Sequence, residues 1–234
     1  MSDDSKQRQY SKVNANFYKR VVIKPEDYQW VSSPVKGVTR MMLDRIGEEI
    51  GRATSLVRYE PNSQFTEHMH AGGEEFLVVE GVFADEHGEY PVGSYIRNPI
   101  GTSHSPQVGE KGALIFVKLH QFNQADTTPV SINTHRQLWQ QGLVSGLKVI
   151  PLHEFQGENI ALVKWAPNTQ FKLHIHPGGE EILVLDGVLY DEDGEYPAGT
   201  WLRNPPYSRH MPYTKEAGAM IYVKVGHLPP EGQN

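Results

Sequence analysis

The sequence contains no cysteine, which excludes disulfide bonds, thiolate catalysis and cysteine-ligated zinc or iron–sulfur sites. It also has no basic cluster, and its net charge is −6, whereas a nucleic-acid backbone requires a basic surface. No apolar run approaches the length of a membrane-spanning helix, and the N-terminus MSDDSKQRQY lacks the apolar core of a signal peptide. We therefore expect neither nucleic acid nor a membrane as a partner, and a cytoplasmic location.

One long segment of the chain occurs twice. Pro61–Lys118 aligns with Pro167–Lys224 without a gap, and more than half of the positions are identical. HMHAGGEE corresponds to HIHPGGEE, and DEHGEYPVGSYIRNP corresponds to DEDGEYPAGTWLRNP. Two copies are too few for a solenoid, so the repeat predicts two similar domains. The polar stretch NQADTTPVSIN (123–133) is typical of a linker, which gives predicted domains at 17–124 and 132–234.

Each copy consists of short β-rich runs such as FLVVEG, SYIRNP and ALIFVKL. Turn residues (HG, DG, PVG and PAG) separate these runs at intervals typical of all-β sandwiches and barrels. The predicted fold class is therefore all-β, with one sandwich or barrel for each repeat.

The repeated histidines predict metal sites. On a strand, residues i and i+2 point to the same face, so two imidazoles of each HxH pair converge. A glycine pair then allows a sharp bend that brings a carboxylate back, and a third histidine follows further along each copy. The predicted ligands are His68, His70, Glu74 and His104 in the first domain and His174, His176, Glu180 and His210 in the second. Zinc, iron, manganese, nickel and cobalt all accept this donor set.

Several other residues are interpreted as structural. Glu75 lies on the opposite strand face from Glu74, and we expect Arg97 and Arg203 each to pair with a carboxylate such as the second glutamate. The tyrosines before the YPxG turns are expected to be packing anchors, and DEHG and DEDG to be solvated hairpin turns. Surface positions are predicted for the remaining histidines, which are His87, His120, His135, His153 and His227.

The histidine and glycine spacing resembles the two cupin motifs, HxH-x3-E-x6-G and G-x5-P-x-G-x2-H. The first motif matches His68, His70, Glu74 and Gly81, and again His174, His176, Glu180 and Gly187. The second matches Gly93, Pro99, Gly101 and His104, and again Gly199, Pro205 and His210. The GGEE, YPxG and RNP phrases most resemble the ChrR-type cupins, a group that includes the cupin domain of ChrR anti-sigma factors and relatives named as acetylacetone or acetophenone dioxygenases.

The resemblance implies two tandem jelly-roll (double-stranded β-helix) domains, each with one divalent metal ion inside its barrel, zinc or iron foremost. It also implies a small-molecule ligand, and it is compatible with a homodimer. Two functions follow from it: iron(II)-dependent dioxygenase cleavage of a diketone or hydroxyketone, or a zinc-bearing regulatory module of an anti-sigma stress response, without catalysis. A third hypothesis is a metal-bearing protein that binds a small molecule without turnover, since one fold hosts many functions. The cysteine- and histidine-ligated zinc domain with which ChrR binds sigma factors has no counterpart in this sequence, which argues against direct sigma-factor binding.

Three positions depart from the family pattern. Asn62 and Asn168 stand where a glycine is usual, and asparagine also accepts the left-handed conformation. Tyr207 stands where the first copy has Gly101. Lys172 replaces Thr66 on the histidine-bearing face, so the sequence predicts that the second site differs from the first and prefers an anionic or smaller ligand.

Overall fold

The computed structural model describes residues 11–48 and 50–228. The first strands are β1 (Lys12–Val13), β2 (Val21–Ile23), β3 (Trp30–Ser32), β4 (Val38–Ile46), β5 (Arg52–Tyr59), β6 (His68–Met69), β7 (Glu74–Asp85), β8 (Gly88–Pro91), β9 (Ser94–Asn98), β10 (Ser103–His104) and β11 (Gln107–Leu119). The remaining strands are β12 (Val130–Asn133), β13 (Gln140–Gln141), β14 (Leu147–Phe155), β15 (Glu158–Trp165), β16 (His174–His176), β17 (Glu180–Asp191), β18 (Gly194–Pro197), β19 (Trp201–Asn204), β20 (Ser208–His210) and β21 (Ala219–Val225). Short 3-10 helices cover Pro25–Asp27 and Thr134–Arg136. Within the described ranges, no helix has the length and apolar character needed to span a membrane.

The chain divides into two compact units with the same antiparallel topology. In the first, the main sheet has the order β1-β4-β5-β11-β7-β9-β12, and β6 pairs with β10 in a separate two-stranded sheet. In the second, the main sheet has the order β13-β14-β15-β21-β17-β19-β2, and β16 pairs with β20. The predicted all-β class with two tandem jelly-roll domains is thus confirmed.

Each barrel has an apolar core on one face of its main sheet. The core residues lie at alternate positions of their strands and so share this face, because successive strand side chains point to opposite sides. In the first barrel the core includes Phe76, Phe83, Ile96, Ile115 and Val117. In the second it includes Trp165, Ile182, Leu189, Leu202 and Ile221.

Strand pairing places two boundary segments in different compact units, and the domain ranges of 17–124 and 132–234 stay a prediction. Residues 16–28 belong to the second unit, and Gln29–Arg136 belongs to the first. The reason is strand pairing: Val21 lies opposite Arg203 in the β2–β19 pair, and Val130 lies opposite Arg97 in the β12–β9 pair. The stretch interpreted as a linker therefore ends in a sheet strand.

Candidate metal centre

The structure brings the four predicted ligands of the first barrel together. The β6–β10 pairing sets His104 directly opposite His68, and Glu74 begins β7 after the glycine turn. The ring centroids of the three histidines lie 4.7–5.1 Å apart. The Nε2 atoms of His70 and His104 lie 3.5 and 3.6 Å from Oε2 of Glu74.

The second barrel repeats this arrangement. Here the β16–β20 pairing sets His210 opposite His174, and the three histidine rings lie 4.5–5.1 Å apart. The oxygens of Glu180 lie 3.4 Å from Nε2 of His176 and 3.3 Å from Nε2 of His210. In each barrel, one ligand atom from each of the four residues lies within 4.8 Å of the others.

The hydrogen bonding of these clusters fits a metal ion. The Nε2 atoms of His70 and His104 are buried and have no hydrogen-bond partner within the part of the chain that the structure describes. In the second barrel, Nε2 of His176 and Nε2 of His210 face each other at 3.1 Å. A buried polar atom without a partner is costly, and a divalent ion accepts the lone pairs of several such nitrogens at once. Each cluster could therefore hold one ion.

Burial also sets the ionisation of the ligands. It lowers the pKa of His70 and of His176 to about 3, and the neighbouring histidines add to both shifts. Neutral imidazole is the form that binds a metal. Burial likewise raises the pKa of Glu74 to about 7 and raises the pKa of Glu180, so both carboxyls take up protons readily unless a cation is beside them.

A carboxylate outside the cluster orients the third histidine of each barrel. In the first barrel, Oδ2 of Asp85 lies 3.1 Å from Nδ1 of His104, while Oδ1 accepts a hydrogen bond of 2.9 Å from the hydroxyl of Tyr90. A proton held on Nδ1 leaves Nε2 free for a metal. Asn98 donates to Oε2 of Glu74 at 3.1 Å and fixes the carboxylate ligand.

The second barrel has the same outer contacts. The hydroxyl of Tyr196 donates to Asp191 at 2.6 Å, and Asp191 lies 3.7 Å from Nδ1 of His210. Asn204 donates to Glu180 at 2.8 Å.

The aspartates were interpreted as parts of solvated turns and the tyrosines as packing anchors, but Asp85 and Asp191 are 7% and 5% exposed. Their repetition in DEHGEY and DEDGEY was the signal that could have identified them.

Arg20 lies in the N-terminal segment that joins the second unit, and it makes an additional set of contacts around the second site alone. The Arg20 guanidinium donates to Asp191 at 2.7 Å, to the hydroxyl of Tyr196 at 2.6 Å and to Asn204 at 2.9 Å. Burial alone would raise the pKa of Asp191, but the nearby His210, hydrogen bonds from Tyr196 and from the backbone of Asp193, and the charge of Arg20 lower it to about 2. By strand register, Pro129 occupies the corresponding place in the first barrel.

The second glutamate of each GGEE phrase points away from the histidines. Glu75 accepts hydrogen bonds from Tyr95 at 3.0 Å and from Arg97 at 3.3 Å, and Arg97 also pairs with Asp126 at 2.9 Å. The structural interpretation of Arg97 thus agrees with the contacts that it makes.

The second glutamate and its arginine in the second barrel make further contacts. Glu181 accepts from Trp201 at 2.8 Å and lies 3.0 Å from Nε2 of His227. Arg203 donates to the carbonyl of Asn16 at 3.0 Å and stacks over Phe17. The prediction of a surface position for His227 was wrong, because its side chain is 2% exposed and contacts this buried carboxylate.

The departures from the motif have local consequences. Asn62 and Asn168 adopt φ of 57° and 54°, so the left-handed turn is kept. Tyr207 adopts φ 63° where Gly101 has φ 88°, and its side chain is 74% exposed. The side chain of Lys172 is also exposed, and it is not among the residues that line the cavity beside the second site. These positions give no support to the predicted preference for an anionic ligand.

Both halves of the chain match a known protein family, and the fold is similar to that of several solved structures. The family model described as the ChrR Cupin-like domain matches residues 18–123 and again residues 127–229. Among solved structures, a candidate dioxygenase from Nostoc punctiforme superposes with a TM-score of 0.77 at 16% identity, covering 89% of this chain and 82% of that chain. The protein Ylba from E. coli superposes with a TM-score of 0.69 at 16% identity, covering 99% of this chain and 100% of that chain.

A third likeness is to the oxalate decarboxylase of Lactobacillus farciminis in its formate complex. Its TM-score is 0.66 at 13% identity, with 89% of this chain and 86% of that chain covered. No curated protein matches the chain. At such identities the structural likenesses establish the fold alone.

Proposed function

We propose that this chain, which belongs to the ChrR cupin-like family, is a metal-dependent dioxygenase acting on a small diketone or hydroxyketone. The observation that carries the proposal is the set of three imidazoles and one carboxylate in each barrel. Four protein donors leave coordination positions open for a substrate that chelates through two oxygens. A bound divalent ion would supply Lewis-acid activation of these oxygens, and iron(II) would also supply redox chemistry toward O₂.

The surrounding residues hold the ligands in place. Asp85 keeps the proton of His104 on Nδ1, and Asn98 holds the carboxylate of Glu74 toward the histidines. Such supporting contacts fix ring orientation, and their loss typically weakens metal binding or activity by about 10- to 100-fold. Burial keeps His70 and His176 neutral, so neither imidazole has to lose a proton before it binds a cation.

Oxygen consumption tests the proposal directly. Metal-free protein would be loaded anaerobically with iron(II), its iron content measured, and O₂ uptake recorded with acetylacetone and with 2-hydroxyacetophenone. We expect uptake that depends on iron and on substrate, and that is lost in the double variant His70→Ala/His176→Ala. Iron-replete protein that consumes no O₂ with either substrate would contradict the dioxygenase assignment.

The second candidate function is a zinc-bearing regulatory module without turnover. The observation that favours it is the match of the ChrR cupin-like model to both halves of the chain, since the resemblance implies a role in an anti-sigma stress response. Zinc fits the same donors but has no redox chemistry of its own. Protein isolated with zinc from its native host, inactive with iron and recovered together with a sigma factor would favour this function over the first.

A further inference from the structure

A cavity of about 180 Å³ lies beside the candidate metal site of the second barrel. The ligands His174, Glu180 and His210 form part of its wall. Its other lining residues, which include Trp165, Phe171, Ile182 and Leu189, are apolar except for the indole N–H of Trp165. Leu143 also lines the cavity and is 87% exposed, so the cavity reaches solvent at that residue.

The size and lining of this cavity define the class of ligand. An apolar cavity of about 150 Å³ is large enough to bind benzene. Apart from the metal ligands, the lining side chains offer one hydrogen-bonding group, the indole N–H of Trp165, which is buried and has no hydrogen-bond partner among the described residues. A ligand that fits here has an apolar body about the size of one aromatic ring, with its metal-binding oxygens at the end that faces the histidines and the glutamate and at most one further acceptor directed at Trp165.

We infer that the second barrel, and not the first, binds such a molecule, with its polar end at the metal and its ring or branched apolar body in this cavity. The inference rests on the proposed function insofar as it requires a bound metal ion. It goes further, because it assigns the small-molecule site to one of two barrels whose metal ligands are identical.

The first barrel carries larger side chains at two of the cavity positions. By the aligned repeat and strand register, Phe76 stands where the second barrel has Ile182, and Phe83 stands where it has Leu189. Both phenylalanines are 1% exposed, and their ring centroids lie 4.9 Å apart. The Phe83 ring also lies 5.9 Å from the ring of His104. In the first barrel, two phenylalanine rings therefore stand at positions where the second barrel has the smaller side chains of Ile182 and Leu189.

At two other cavity positions the second barrel has the larger side chain. Trp165 replaces Tyr59, and Leu147 replaces Val38, so the second barrel has the larger residue at both positions. Trp165 and Leu147 lie opposite each other on β15 and β14 and both line the cavity. The cavity therefore persists with these larger residues in place, and they extend its apolar wall.

A pair of chelating probes tests the inference. Benzohydroxamate and acetohydroxamate bind a metal through the same two oxygens, but only the first carries a ring. Each would be titrated into cobalt(II)-loaded full-length protein with a single intact site. His68→Ala/His70→Ala leaves the second site, and His174→Ala/His176→Ala leaves the first. Visible absorption of cobalt(II) reports binding, and circular dichroism checks folding.

We expect the second site to prefer benzohydroxamate by tenfold or more, after correction for the affinity of each probe for aqueous cobalt(II), and the first site to show a ratio near one. Reciprocal variants provide the matched control. Ile182→Phe/Leu189→Phe should abolish the preference at the second site, and Phe76→Ile/Phe83→Leu should create one at the first. Equal ratios in the two unmodified sites, or a larger ratio at the first, would overturn the inference.

The inference and the proposed function can fail separately. A ring preference at the second site without any iron-dependent O₂ uptake would leave the inference standing and remove the dioxygenase. O₂ uptake that survives in the protein with only the first site, and disappears in the protein with only the second, would remove the inference and leave the dioxygenase. Failure of both sites to bind cobalt(II) would overturn both.

Discussion

Arg20 forms an ion pair of 2.7 Å with Asp191 across 171 positions of sequence. Through Asp191 it acts on His210, and through Asn204 it acts on Glu180, so one side chain braces the partners of two candidate metal ligands. The first barrel has Pro129 at the corresponding register position. The two clusters therefore have the same types of ligand, but different residues support those ligands.

Replacing Arg20 should weaken metal binding in the second barrel only. We expect Arg20→Gln to lower cobalt(II) affinity there by about tenfold, because a contact that orients a ligand is lost. Affinity at the first site should not change. Competition titration with a fluorescent chelator, in proteins that keep one site each, measures both values. Lys19→Gln removes a neighbouring exposed charge and serves as the control; an equal effect of the two substitutions would show that charge alone matters.

Removing Arg97 should destabilise the first barrel. The side chains of Arg97, Glu75 and Asp126 are each 1% exposed, so Arg97→Met removes a cation from beside two buried carboxylates. The loss of one partner from a buried ion pair costs about 3–5 kcal/mol of unfolding free energy. Urea denaturation measures the loss. The triple variant with Glu75→Gln and Asp126→Asn should recover part of it, and the exposed Arg136→Met should have little effect.

Metal-free protein should lose stability through Glu74 as the pH rises. The folded pKa of about 7 lies above the ordinary value, so the contribution of the protonated carboxyl is complete at low pH and is lost as the pH rises through 7. The size of this shift corresponds to about 3 kcal/mol. Between pH 5 and pH 8 in EDTA, the unfolding free energy of the wild type should therefore fall relative to that of Glu74→Gln. Glu80→Gln, at an exposed position of the same strand, should behave like the wild type.

Substitutions at two glycines should distinguish the loss of stability caused by backbone strain from that caused by a steric clash. Gly81 and Gly101 both have positive φ, of 71° and 88°. A Cβ at Gly81 would lie 2.0 Å from the carbonyl oxygen of Gly112, whereas a Cβ at Gly101 would meet nothing within 4 Å. Gly101→Ala should therefore cost about 1 kcal/mol, and Gly81→Ala several times more. Thermal denaturation of the two variants measures the difference, and equal losses would argue against a steric role for Gly81.

The candidate ligands could be predicted from the sequence because the alternation of strand side chains fixes which residues share a face. Glu74 and Glu75 were distinguished by this parity and by the motif spacing from Glu74 to Gly81, and the structure turns only Glu74 toward the histidines. The contacts of Arg20 could not be predicted, because they depend on which sheet the N-terminal segment joins. Asp85 was missed because a DEHG phrase has the composition of an exposed turn, and its burial depends on the neighbouring histidine strand.

The pairing of β2 with a strand of the second barrel affects the order in which the two barrels fold during synthesis. β2 is synthesised before strands β3 to β12 of the first barrel, yet its partner β19 lies at Trp201–Asn204, so β2 has no sheet to join until β19 has left the ribosome. The first barrel needs only the chain as far as β12, and it can close while the second is still incomplete. Because domains generally fold as units during synthesis, we expect the first barrel to mature before the second. A gene split between the repeats would therefore yield a C-terminal fragment without one edge strand of its own sheet.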